Sequence, residues 1–202
     1  MTRVLVVRHG ETDWNRQGRV QGWAPTGLTD RGREQAAALG SWLDGREIDR
    51  VLGSDLRRAR ETLAVAGETA DGLPDPAVDR AWRERGFGVY QGFLAEELFR
   101  RTGQTDGTSV SALDAAPEGG ESVDEFVERV TDAWTGLRDR VGDDETVLLV
   151  THGGVVKVLL SVVDGREAAL DAHSPPNCSV TELRIGESAA ELLTEGATPW
   201  RA

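Results

Sequence analysis

One cysteine, one methionine, one tyrosine and one lysine stand among the 202 residues of this chain. A single thiol, Cys178, cannot form an internal disulfide, and the sequence fits a reducing compartment. With Lys157 the sole lysine, arginine supplies nearly all of the 23 basic residues, against 35 acidic ones and a net charge of -12. Nucleic acids and anionic membranes are bound through clustered Lys and Arg, so neither is expected as a partner. No apolar run approaches the ~20 residues needed to span a bilayer. The amino terminus enters strand-like sequence without a charged-then-apolar leader, and a soluble, cytoplasmic protein is expected. HExxH is missing, as is the GxxxxGKS/T of phosphate-cradling loops, and no His/carboxylate cluster has metal-ligand spacing. Neither a metal nor another cofactor is expected.

What is present concentrates at two strand ends. The apolar strand Val4–Val7 runs into Arg8, His9 and Gly10, and the strand Thr146–Val150 runs through Thr151 into His152, Gly153 and Gly154. Carboxyl ends of strands hold the ligand sites of open α/β folds. The chain has three histidines. Two of them at such ends, each beside glycine, predict one shared site built from both ends of the sequence.

The remaining pattern alternates strand and helix. Thr29 and Asp30 cap a helix carrying Ala37, Leu39, Trp42 and Leu43; Asp49–Gly53 reads as a strand and Asp55–Ala66 as a helix. Residues 67–120 are irregular and rich in Gly and Pro, with a short helix at Glu96–Arg101, and are expected to face the substrate. Ser122 and Glu125 form a capping box for a helix through Phe126, Val130, Trp134 and Leu137, ending before Gly142. After Thr146–Val150 come a helix through Val155, Val158 and Leu159, then strands Cys178–Ile185 and Ala189–Thr194 as an edge hairpin around Gly186. The expected architecture is a single domain over residues 1–202: a three-layer α/β/α sandwich with a mostly parallel central sheet.

Arginine's planar fork matches phosphate oxygens, and glycine beside each histidine lets backbone approach a ligand closely. A neutral imidazole can attack phosphorus and form a phosphoryl intermediate that water later hydrolyses, without a metal if cations surround the transferring group. One rival is Cys178 with Arg184, which satisfies the C-x5-R skeleton of cysteine-dependent phosphatases. Its five intervening residues are β-prone and lack glycine, unlike a loop that wraps its N–H groups around phosphate. His173, in a Pro-rich turn, reads as a surface residue, and Asn177-Cys178-Ser179, just before a strand, is left open as a segment near the site, with no role assigned.

Four blocks in order now carry a resemblance: Arg8-His9-Gly10-Glu11-Thr12-Asp13-Trp14-Asn15; Ser54-Asp55-Leu56-Arg57-Arg58-Ala59-Arg60-Glu61-Thr62; Arg83-Glu84-Arg85-Gly86-Phe87-Gly88 with Tyr90-Gln91-Gly92; and Thr151-His152-Gly153-Gly154. Together they resemble the signature of the histidine phosphatase superfamily, the phosphoglycerate mutase-like proteins. The resemblance implies His9 as nucleophile and Arg8, Arg58 and His152 around the phosphoryl oxygens. It implies Glu84 as the acid that protonates the leaving oxygen and then takes a proton from water. Asn15 and backbone after Gly10 would add hydrogen bonds, so Gly10, Glu11, Thr12, Gln21, Gly22 and Gly153 join the expected phosphate-binding set. Arg83 and Arg85 are expected to point outward.

The family contains mutases and phosphatases. Its mutases carry a lysine eleven residues after the acid, where this chain has Ala95, and an arginine pair farther on, whereas Thr102 to Gly120 holds no Lys or Arg. A phosphomonoesterase acting on a small phosphorylated metabolite, with a neutral or apolar leaving group, is therefore expected. Phosphoglycerate mutase is the alternative, and a non-catalytic phosphate-binding module a further one. A homodimer is left open. Trp82, Phe87, Tyr90 and Phe93 fit a pocket wall and ordinary core packing about equally.

Overall fold

Every residue from Val4 to Val7 is apolar, and a strand with two apolar faces must lie between two covering layers. The computed structural model, which describes residues 1–102, 116–165, 174–186 and 189–201, puts it there. Among the described residues six strands, β1 (Thr2–Arg8), β2 (Arg50–Ser54), β3 (Ala77–Asp79), β4 (Thr146–Thr151), β5 (Val180–Ile185) and β6 (Ala190–Ala197), form one sheet in the order β3-β2-β4-β1-β5-β6. β3, β2, β4 and β1 are mutually parallel, and β5 pairs antiparallel with both β1 and β6. The helices are α1 (Asp13–Arg16), α2 (Asp30–Leu43), α3 (Arg57–Thr69), α4 (Ala95–Thr102), α5 (Val123–Arg138) and α6 (Gly153–Asp164).

Side chains alternate across each strand, which divides the core in two. Val4, Val6, Val147 and Leu149 face α5 and α6, where Phe126, Val130, Trp134, Val155 and Leu159 complete one cluster. Leu5, Val7, Leu148 and Val150 face α2 and α3, against Leu39, Leu43, Ala59, Leu63 and Ala66. The three-layer α/β arrangement with a mostly parallel sheet is thus the consequence of two apolar strands buried on both faces. β1 and β4 run in register from Arg3 opposite Thr146 to Arg8 opposite Thr151, so the two strands finish together.

Local chemistry sets the helix starts. Thr29 accepts the Gly32 N–H at the start of α2, and Ser122 with Glu125 closes the capping box of α5. α3 begins at Arg57 rather than Asp55, because Leu56 is extended and the Asp55 carboxylate is held by Arg83. It continues to Thr69, so the irregular middle starts beyond Gly67 and includes the exposed edge strand β3. Cys178 has φ of 58°, a left-handed conformation no strand residue adopts, and β5 accordingly begins two residues later than expected. The short elements α1 and β3 had no readable periodicity over four and three residues. Trp82 is buried in the α5/α6 cluster and belongs to the core rather than to a pocket wall.

Gly40 marks a close approach of α2 to α3, since a Cβ there would strike the Ala66 carbonyl and the Thr69 hydroxyl. Gly40→Ala raises helix propensity by about 1 kcal/mol, yet overpacking costs about 1–3 kcal/mol. The substitution is expected to lower the denaturation midpoint, as read by chemical unfolding.

Candidate active site

The site grows from the shared end of β1 and β4. The His9 N–H donates to the Thr151 carbonyl at 2.9 Å, and the His9 and His152 rings lie 5.2 Å apart, both buried. The Gly10 carbonyl lies 2.7 Å from His9 Nδ1, and Arg58 Nε lies 3.1 Å from His9 Nε2. A carbonyl can only accept and a guanidinium can only donate, which assigns the proton to Nδ1 and the lone pair to Nε2. That tautomer is the one a nucleophilic imidazole needs.

Burial pushes His9 well below its ordinary 6.5, and the Arg58 and Arg8 charges push it further than the Gly10 hydrogen bond restores. His152 is lowered likewise, by burial first and then by Arg58, His9, Arg8 and Arg129. Both rings are therefore neutral at neutral pH. Burial lowers Arg58 to about 10, with the Glu84 charge opposing the shift, and lowers Arg8 in the same direction. Both guanidiniums keep their charge at neutral pH.

Carbonyl groups hold the arginines in place. Arg58 donates to Gly22 at 2.8 Å and to Ala24 at 3.3 Å, and Arg8 donates to Pro175 at 2.5 Å. Arg8 Nε and both ring nitrogens of His152 are buried and make no hydrogen bond to described residues. Buried polar atoms in native proteins are ordinarily satisfied, and cationic and N–H groups converging in this way suit an anion. Glu84 sits beside them: its carboxylate accepts the Gly154 N–H at 3.0 Å, in the first turn of α6, and the Arg85 N–H at 2.9 Å. Gly153 packs close to Arg8, where a Cβ would lie 3.7 Å from Nε, and a Cβ at Gly154 would strike the Glu84 carboxylate. Arg8, His9, Arg58, Glu84, His152 and Gly153 thus share one place.

Three other expected phosphate ligands spend their backbone N–H groups within the protein. The Gly10 N–H donates to Thr62 at 3.0 Å, and the Glu11 N–H to Gln35 at 2.9 Å while the Glu11 carboxylate takes the Thr29 hydroxyl. The Thr12 N–H donates to Asn15 Oδ1. These backbone donors are committed to α1, α2 and α3, so the loop after His9 shapes the site rather than offering N–H groups to a ligand. Gln21 accepts the hydroxyl of Thr26 at 2.6 Å and lies 3.0 Å from that of Thr12, and Gly22 uses its carbonyl on Arg58. Asn15 Oδ1 accepts from Thr12 and, at 3.3 Å, from Asn177, which fixes the orientation of its amide.

Arg83 grips Asp55 with two bonds of 2.6 Å. Arg85 is not outward-facing: it is buried, stacked over Phe87 and donating to the Glu121 carbonyl. Asn177, whose place near the site the sequence leaves open, donates to the His9 carbonyl at 2.9 Å. No spacing rule marks such a residue, because its partner is backbone far away in sequence. The cysteine alternative fails, since Val180–Ile185 is a strand and Arg184 is paired with Glu191. His173 lies outside the described residues.

A parallel α/β sheet with histidines leaving two adjacent strands together is the phosphoglycerate mutase-like architecture. The chain belongs to the histidine phosphatase superfamily (branch 1), whose family model matches residues 4–198. It is 36% identical over 188 residues to phosphoglycerate mutase-like protein 4 of Arabidopsis thaliana, covering 90% of this chain and 79% of that one. Glucosyl-3-phosphoglycerate phosphatase of Mycolicibacterium vanbaalenii is 34% identical over 177 residues, 81% of this chain and 74% of that one. The crystal structure of phosphoglycerate mutase from Bacillus anthracis superposes with a TM-score of 0.85, covering 98% of this chain and 94% of that one; at 23% identity it speaks for the fold alone. Among the described residues, no helix is long and apolar enough to cross a membrane.

The depressed histidines make a statement about stability. Their folded values lie below 6.5, so between the two values the unfolded chain binds more protons. Their contribution is complete above 6.5 and is lost as pH falls toward the folded values. Thermal unfolding followed from neutral to mildly acidic pH should show a steeper loss in the wild type than in His152→Gln. Equal slopes would contradict the burial of a neutral ring.

Proposed function

We propose that the protein is a metal-independent phosphomonoesterase that works through a phosphorylated His9 on a small phosphorylated metabolite. The observation that carries this reading is the His9 tautomer, with the Nδ1 proton held by Gly10 and the Nε2 lone pair facing Arg58. Phosphate entering between Arg8, Arg58 and His152 would draw the Arg58 Nε–H onto an oxygen and free Nε2 for attack. The Nε2–P bond forms as the P–O bond to the leaving group breaks, and Glu84 gives that oxygen its proton. Water then attacks phosphorus, the N–P bond breaks, and Glu84 takes the proton back. General acid–base help of this kind is worth about 10²–10⁴-fold.

The phosphatase reading is preferred over mutase chemistry because Ala95 stands where the mutases have lysine and the stretch from Thr102 to Gly120 has no cation. Relatives named glucosyl-3-phosphoglycerate phosphatase and metal-independent phosphoserine phosphatase support the same direction, while others of similar identity are named phosphoglycerate mutases.

The test is phosphate release from a panel containing 3-phosphoglycerate, glucosyl-3-phosphoglycerate, phosphoserine and p-nitrophenyl phosphate, with excess chelator. Wild type should release phosphate, and His9→Ala should lose on the order of 10⁴-fold or more, the scale of deleting a covalent nucleophile. Equal release by both proteins would reject the mechanism. Conversion of 3- to 2-phosphoglycerate without release would establish the mutase alternative.

A further inference from the structure

The segment that carries Glu84 has little regular structure of its own. It leaves a short 3-10 turn at Arg80–Trp82 and continues extended through Arg83, so its backbone needs partners from elsewhere. One side chain meets much of that need. Arg129, on α5, donates from Nη1 to the carbonyls of Ala81 at 2.8 Å and Arg83 at 3.1 Å, and from Nη2 to that of Glu84 at 3.3 Å. Its remaining donors go to Glu121, Nε at 2.7 Å and Nη2 at 2.8 Å. The five N–H groups of the guanidinium therefore account for five hydrogen bonds, three of them on the acid segment.

Glu121 completes the clamp. Its carboxylate also accepts the Gly86 N–H at 2.9 Å, its own N–H donates to the Gly86 carbonyl at 2.8 Å, and its carbonyl receives Arg85 Nε at 3.0 Å. Trp23 Nε1 adds a second donor to the Glu84 carbonyl, at 2.8 Å. The backbone of Glu84 is thus gripped from one side while its carboxylate meets the Gly154 N–H on the other. The grip is anchored: α5 starts at the Ser122 capping box and seats Phe126 and Val130 in the core. Only an arginine fork can do this, since a lysine offers three donors from a single point.

We propose that Arg129 and Glu121 are positioning residues for the acid step: they set where the Glu84 carboxyl stands relative to the leaving oxygen, without touching substrate themselves. This rests on the reading of Glu84 as the proton donor. A misplaced acid costs most when the leaving group most needs a proton. An alkyl phosphate leaves as a basic alkoxide and depends on the acid, whereas p-nitrophenyl phosphate leaves as a stabilised phenolate and depends on it little.

The experiment compares kcat/KM for glycerol phosphate and p-nitrophenyl phosphate in wild type, Glu84→Gln, Arg129→Met and Glu121→Gln, together with inhibition by inorganic phosphate. Arg129→Met should lose about 10²-fold on glycerol phosphate, within the range of a lost general acid, and far less on p-nitrophenyl phosphate. Glu121→Gln, which keeps a carbonyl acceptor for Arg129, should shift the same way by less. Inhibition by phosphate, which reads Arg8, Arg58 and His152, should be unchanged in Glu121→Gln and change far less than turnover of glycerol phosphate in Arg129→Met, since Arg129 is the weakest of the charges that act on His152. Equal losses on the two substrates, or phosphate inhibition weakened as much as turnover of glycerol phosphate, would overturn the positioning role in favour of general disruption. A leaving-group dependence in Glu84→Gln that is missing from Arg129→Met would overturn positioning alone. Its absence from Glu84→Gln itself would remove Glu84 as the acid, and the proposal with it.

Discussion

The parallel, in-register pairing of β1 with β4 is the constraint on which the site depends. Arg8 lies opposite Thr151, so the residues that follow each, His9 and His152, leave the sheet at the same level and on the same edge. A slip of one residue would turn the slipped strand's side chains to the opposite layer and part the two rings. The slip is opposed because both faces of both strands are buried, with each layer demanding its own half of the alternation. The apolar core and the chemistry are thus specified by the same register.

Gathering two guanidiniums and two imidazoles inside a protein is costly, and the structure shows how the cost is met. The histidines are kept neutral by their burial and by the adjoining positive charge. The arginines retain their charge because carbonyls of Gly22, Ala24 and Pro175 accept from them and Glu84 lies near. Donors fixed beforehand need no rearrangement when negative charge arrives, which is the main electrostatic advantage of such sites. The near-absence of lysine elsewhere in the chain accords with this use of arginine, whose planar fork can bridge several fixed acceptors at once.

Much of this was legible in the sequence where a rule of period or capping applied. The continuous apolar runs of β1 and β4, the Thr29 cap and the Ser122 box announced the central strands and two of the covering helices. Histidine beside glycine at two strand ends announced the meeting of His9 and His152. Illegible features depend on contacts between distant segments. Gly10, Glu11 and Thr12 lie beside His9 yet spend their N–H groups on Thr62, Gln35 and Asn15, partners that no local pattern reveals. Arg85 reads as a surface charge in a charged stretch and is buried because the Glu121 segment folds over it. Asn177 and Arg129 act on backbone carbonyls, which carry no mark in the amino-acid code.

The central claim is that His9 Nε2 takes up the phosphoryl group. Its most direct test is rapid alkaline quenching of the enzyme during turnover of a phosphomonoester, followed by peptide mapping and phosphorus NMR of the trapped protein. An acid-labile phosphoryl group is expected on His9 alone, bonded to Nε2 and absent from His9→Gln. A phosphoryl group on another residue, or turnover with no phosphoprotein at any time point, would contradict it.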